Sequence, residues 1–169
     1  MVYLVEDDEN IRELVTYTLN SQGIETESFE RPSKFWKAMQ QEIPSLFLLD
    51  IMLPEEDGLS ILKKIKNTSQ TKKLPVIMLT AKGEEQDELH GFDLGVDEYI
   101  SKPFSPKILV ARVGAVLKRS NQVKSSKLEC GGIVIDKAAH QVTIDGKEIE
   151  LSFKEFELLT YFMENRGLA

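Results

Sequence analysis

Short apolar runs alternate with amphipathic stretches through the first 120 residues. The run "VYLV" (2–5) reads as a strand. Residues 9–22 then set Ile11, Leu14, Val15, Thr18 and Leu19 at helical spacing, and Gly23 closes that helix. "IETESF" (24–29) alternates as a strand does. Pro32 and Ser33 open a second helix with Phe35, Trp36 and Met39 on one face. "SLFLLD" (45–50) and "LPVIMLT" (74–80) have the length and composition of strands buried on both faces. Asp57 and Gly58 precede a helix through Leu59, Leu62 and Ile65. A polar helix is predicted over 84–94 and closed by Gly95, a fifth strand over 96–100 ("VDEYI"), and a fifth helix over 106–119. Five β–α units in regular alternation predict an α/β fold: a five-stranded, doubly wound parallel sheet with helices on both faces. Trp36 and the methionines read as core filler.

The pattern changes after residue 119. "SNQVKSSK" (120–127) is polar and without periodicity, which predicts a linker. "GGIVID" and "HQVTIDGKEIEL" read as short strands, the latter a hairpin turning at Asp145-Gly146. In "SFKEFELLTYFMEN" Ser152 is the expected N-cap, and Glu155 completes a capping box. Phe156, Leu159 and Phe162 are placed on one face, with Gly167 as the stop. Residues 128–169 thus form a second, α+β unit. It is too short to bury a self-sufficient core, so the expectation is a domain that is incomplete at Ala169.

Bulk properties narrow the function classes. No apolar run approaches the roughly 20 residues of a membrane helix. The start "MVYLVEDDEN" lacks a basic signal-peptide region. Cys130 is the single cysteine, which excludes an intrachain disulfide and a Cys metal cluster and suits a reducing cytoplasm. Residues 1–120 carry 20 acids against 15 bases, and residues 121–169 carry 8 against 6. Neither segment has the basic footprint of nucleic-acid binding.

The chemistry gathers at the carboxyl ends of the predicted strands. Glu6, Asp7 and Asp8 follow the first strand, Asp50 ends the third, Thr80 the fourth, and Lys102 follows the fifth. That edge is where open α/β sheets bind ligands. Clustered acids there repel one another unless a cation compensates. Hard oxygen ligands without cysteine favour Mg²⁺. Asp50 then has a role as a nucleophile toward phosphorus, with Thr80 donating to one phosphoryl oxygen and Lys102 pairing with another. Each residue also has a plainer reading: a strand-end acid as a helix cap, the threonine as structural, Lys-Pro as incidental. Their joint occurrence in order at one edge favours the phosphoacceptor. Lys102 must turn back into the pocket directly after its strand, which suits a cis bond to Pro103. His90 and His140 have no partner at metal spacing and read as surface residues.

"VEDDENIRE", "LLDIMLPEEDG", "VIMLTAKGEE" and "GVDEYISKPFSPKILVARV" resemble the receiver domain of bacterial two-component response regulators, over residues 1–119. The resemblance implies a flavodoxin-like sheet with Asp50 phosphorylated by a sensor histidine kinase. It implies Mg²⁺ held by Asp7, Glu6, Asp50 and the Met52 main-chain carbonyl, with Asp8 as the neighbouring third acid. It makes Thr80 and Tyr99 the switch pair. "LSFKEFELLTYFMENRG" and the strands before it resemble the start of the winged-helix effector of the OmpR/PhoB class, up to but not including the recognition helix. That implies a cytoplasmic transcription regulator whose complete C-terminal domain binds DNA, whereas residues 128–169 alone do not.

The resemblance also implies a homodimer on phosphorylation, through the predicted helix 84–94, the fifth strand and the fifth helix. Asp97, with Glu98 beside it, and Arg112 form one candidate cross-subunit pair. Glu88, Ile108 and Gly114 depart from the family pattern and remove two other pairs. Two alternatives stand beside this reading. One is a Mg²⁺-dependent aspartyl phosphatase or phosphotransferase, disfavoured because Met52 occupies the place of a general acid two residues after the nucleophile. The other is a receiver that works by protein contacts without phosphorylation.

Overall fold

The computed structural model describes residues 1–81 and 94–165, with the side chains of 123–125 excepted. The chain divides into two compact units, Met1–Lys118 and Arg119–Ala169.

The first unit contains β1 (Val2–Val5), α1 (Glu9–Ser21), β2 (Thr26–Phe29), α2 (Pro32–Met39), β3 (Leu46–Asp50), α3 (Gly58–Asn67), β4 (Val76–Ala81), β5 (Glu98–Lys102) and most of α4 (Pro106–Ser126). The strands form one parallel sheet in the order β2-β1-β3-β4-β5. Alternation along each strand builds two apolar layers. Tyr3, Val5, Phe47, Leu49 and Met78 face one side and meet Phe35 of α2 and Ile61, Leu62 and Ile65 of α3. Val2, Leu4, Leu46, Leu48, Ile77, Leu79 and Ile100 face the other, against Val15 and Leu19 of α1 and Leu109, Val113 and Val116 of α4. With both faces covered, the strands can be continuous apolar runs. Trp36 and Met39 pack against the first layer as expected, but Met52 is 68% exposed. The Lys102–Pro103 peptide is cis, as expected. The predicted helix 84–94, with Glu88 and His90, lies outside the described residues, as does Gly167.

Three further expectations change. α4 runs on to Ser126 through most of the segment read as a linker. No glycine or proline occurs between Gly114 and Gly131 to stop it. A strand not anticipated, β6 (Lys127–Cys130), follows directly. It pairs antiparallel with β7 (Ile133–Asp136), and β8 (Gln141–Ile144) and β9 (Lys147–Ile149) complete a four-stranded sheet. The β8–β9 turn falls at Asp145-Gly146, both at positive φ as such a hairpin requires.

The third change is in α5 (Phe153–Glu164), which carries the expected Ser152–Glu155 capping box. Its inward residues are Phe156, Leu159 and Met163, which meet Ile135 and Val142. Phe162 is 61% exposed. At about 100° per residue Met163 returns to within about 20° of Phe156, whereas Phe162 lies about 120° away. His140 is exposed, as expected, and stacks on Phe156 with ring centroids 4.4 Å apart. Among the described residues no helix is long and apolar enough to cross a membrane.

Candidate functional site at the carboxyl edge of the sheet

β1 lies between β2 and β3, so chain connections leave in opposite directions on either side of it and open a crevice at its carboxyl end. The register sets Val5 beside Leu49 and Asp50 beside Leu79. Glu6 and Asp50 therefore emerge next to each other at the mouth of the crevice. On the next strand pair Thr80 lies beside Ser101 and Ala81 beside Lys102.

The geometry brings together residues far apart in sequence. Lys102 Nζ is 2.9 Å from Asp50 Oδ2 and 2.7 Å from Glu6 Oε2. Glu6 is wholly buried and Asp50 is 5% exposed. Burial pushes the Glu6 carboxyl up to about 7; the Lys102 contact opposes that rise and the Asp50 charge adds to it. Burial works against the Lys102 ammonium, but Glu6 and Asp50 together outweigh it and hold Lys102 above the usual lysine value. Asp50 Oδ1 accepts the Met52 N–H at 3.2 Å. Thr80, the next-to-last residue of β4, is fully buried.

The acidic loop after β1 is braced by Arg12, whose main-chain contacts leave no signal in side-chain spacing. Its Nη1 donates to the main-chain carbonyls of Glu6 at 3.0 Å and Asp7 at 3.1 Å. Asp8 has a different task from its neighbours. It caps α1 by accepting the Ile11 N–H at 3.0 Å.

The donor set fits a hard divalent cation. Among the described residues, Glu6, Asp7 and Asp50 each offer a carboxylate oxygen within 4.8 Å of the others. The single Lys102 ammonium is shared between Glu6 Oε2 and Asp50 Oδ2, so three carboxylates meet one positive charge, an imbalance that a divalent cation would offset. Oxygen donors without nitrogen or sulfur match Mg²⁺.

A close approach completes the pocket floor. Gly58 opens α3 against the β3 backbone, and its N–H donates to Ile51 O at 2.8 Å. A Cβ there would collide with the Asp50 main-chain oxygen and stand 2.9 Å from the Asp50 carbonyl carbon. Asp57 caps α3 through the Ser60 N–H at 2.8 Å.

The switch and dimer candidates lie along β5 and α4. Tyr99 is 6% exposed and belongs to the first apolar layer. Arg112 Nη1 donates to the Tyr99 carbonyl at 2.6 Å and lies 3.3 Å from Glu98 Oε1. Asp97 faces other partners in the chain: it accepts the Val76 N–H at 2.8 Å and lies 3.8 Å from Lys66 Nζ. Ile108 is 47% exposed, and a side chain at Gly114 would enter open space.

Comparison with known proteins gives a consistent result. The family described as the response regulator receiver domain matches residues 2–114. The phosphate regulon transcriptional regulatory protein PhoB of Pseudomonas aeruginosa is 40% identical over 169 residues, 99% of this chain and 74% of that protein. PhoB of Escherichia coli is 39% identical over 163 residues, 96% of this chain and 71% of that protein. Among solved structures, the response regulator DrrB of Thermotoga maritima, an OmpR/PhoB homolog, is similar with a TM-score of 0.63 and 36% identity. That match covers 98% of this chain and 73% of DrrB.

Proposed function

The chain belongs to the response regulators, in the OmpR/PhoB class, and from that premise we propose that Asp50 is its phosphoacceptor. The family is one of phosphorylation-activated transcriptional regulators that work with a histidine kinase and act on DNA. The observation that carries the proposal is the convergence of Glu6, Asp7, Asp50 and Lys102 from three strand ends on one crevice, with Glu6 and Asp50 buried in it and Asp7 exposed at its mouth.

An Asp50 carboxylate oxygen attacks the phosphorus of a phosphohistidine on the partner kinase. The nitrogen–phosphorus bond breaks, its electron pair stays on the imidazole, and that nitrogen takes a proton. Glu6, Asp7 and Asp50, with the Met52 main-chain carbonyl, would hold Mg²⁺. Bound there, Mg²⁺ supplies positive charge for the phosphoryl oxygens. Lys102 exchanges its contact with Asp50 for one phosphoryl oxygen, and the Thr80 hydroxyl donates to another. Met52 carries no acid to protonate a leaving group, so the phosphoryl group stays on Asp50 until water removes it slowly. The engaged Thr80 and the inward Tyr99 then set the β5–α4 surface, where Arg112 anchors a homodimer against Asp97 and Glu98 of a second copy. The assignment of residues 128–169 to the start of a winged-helix effector belongs to the same reading.

The test is incubation with acetyl phosphate, with and without Mg²⁺. Stable, Mg²⁺-dependent phosphoprotein is the expected result. Turnover of the donor without accumulation indicates a phosphatase, and no incorporation indicates a receiver that acts by contacts alone.

A further inference from the structure

Helix α2 begins with a backbone demand that its own sequence does not meet. Arg31 at the N-cap makes no side-chain capping bond, and Pro32 at the first position has no N–H. Ser33 therefore carries the first free donor of the helix. Glu55, from the loop after β3, meets the demand: its carboxylate accepts the Ser33 N–H at 3.0 Å and the Ser33 hydroxyl at 3.2 Å. Glu55 does so at a φ of +67°, a conformation that non-glycine residues adopt at a cost. The next residue, Glu56, accepts Trp36 Nε1 of the same helix at 3.0 Å and pairs with Lys64 of α3. The loop is also closed at its base by the Gly58–Ile51 hydrogen bond, and its Met52 N–H reaches Asp50 Oδ1. It is fixed to β3 at its base and to α2 at its tip.

We propose that Glu55 is a positioning residue for the Asp50 site, holding the Ile51–Asp57 loop and its Met52 backbone against Asp50 by capping α2 from outside that helix. Its consequence for phosphorylation rests on the reading of Asp50 as phosphoacceptor; its effect on the loop does not. The cap and the strained φ oppose each other. Removing the carboxylate takes away the contact that offsets the strain, so the loop relaxes, the Met52 amide leaves Asp50, and the Met52 main chain leaves the acidic crevice.

The full chain is compared with Glu55→Ala, Glu55→Gln and Ser33→Ala. Amide hydrogen exchange is read at Met52, and Mg²⁺ binding by calorimetry. Glu55→Ala should speed exchange at Met52 by about fivefold, the scale of one lost N-cap. It should weaken Mg²⁺ binding and slow phosphoryl incorporation at subsaturating Mg²⁺, with recovery at saturation. Glu55→Gln keeps an acceptor and should recover most of the loss. Ser33→Ala keeps its N–H and should lose less, and should add little on top of Glu55→Ala. A lower melting temperature with unchanged exchange and unchanged Mg²⁺ binding would overturn the proposal and leave Glu55 as a helix cap only. Wild-type protein that takes up no phosphoryl group defeats the functional reading, while exchange and Mg²⁺ binding still decide the role of Glu55.

Discussion

Lys102 Nζ, at the end of β5, lies 2.9 Å from Asp50 Oδ2, a contact that crosses β4 to reach β3. The same ammonium holds Glu6, so two buried carboxylates depend on one lysine. Lys102→Ala should therefore cost about 3 kcal/mol in metal-free protein, the scale of breaking a buried pair by removing one partner. Mg²⁺ should restore more stability to this variant than to wild type, because a cation then replaces the missing charge. Urea unfolding with and without Mg²⁺ measures both. An equal response to Mg²⁺ in the two proteins would count against the shared pocket.

Gly58→Ala should be among the most damaging single-methyl changes in the chain. The added carbon meets the backbone of Asp50 and Ile51 and not a flexible side chain. A loss near the upper end of the overpacking range, about 3 kcal/mol, is expected. Phosphoryl uptake should fall with it, since the strand end that must move carries Asp50. Thermal denaturation and incorporation assays on the same variant check the two effects together.

Glu6, Asp50 and Thr80 are legible because each is a polar side chain ending an apolar run, and strand ends of a parallel sheet meet at one edge. Asp50 after "LFLL" and Thr80 after "VIML" are of this kind. Arg12 was not readable, because it acts on main-chain carbonyls, which leave no trace in side-chain spacing. Glu55 is not legible because it sits in a loop and its partner Ser33 lies 22 residues away at the start of α2. The course of α4 to Ser126 was missed for a different reason. Polar residues without periodicity do not bury a face, yet nothing among them breaks a helix. β6 has only four residues, with Leu128 and Cys130 turned inward, too short an alternation to register next to a helix.

Thr80→Ala should separate chemistry from response. Losing one hydrogen bond to a charged phosphoryl oxygen should slow incorporation by about tenfold. Asp50 should still be modified, but phosphorylation should no longer promote self-association, because the proposed link from the Thr80 hydroxyl to Tyr99 is gone. Thr80→Ser should restore both. Sedimentation of the variants with beryllofluoride reads the response, and a normal phosphorylation-dependent dimer in Thr80→Ala would contradict the assignment.

Arg112→Ala should weaken the beryllofluoride-induced dimer by about tenfold or less, in keeping with the roughly 0–1 kcal/mol of an exposed ion pair. Arg112 also braces the Tyr99 carbonyl within its own chain, so Arg112→Lys should recover only part of the loss. Ile108→Glu should weaken association as well, since Ile108 is exposed on the same helix. Sedimentation equilibrium across the three variants measures this. Association that is unchanged in all of them would place the dimer on another face.

The central claim is that Asp50 takes the phosphoryl group. Peptide mapping by mass spectrometry, after treatment with a small phosphodonor and Mg²⁺, tests it most directly. A single phosphoryl group on the peptide that contains Asp50, lost in Asp50→Ala and strongly reduced in Asp7→Ala, is the predicted result. A phosphoryl group on any other residue of the wild-type chain, or undiminished uptake by Asp50→Ala, would contradict it.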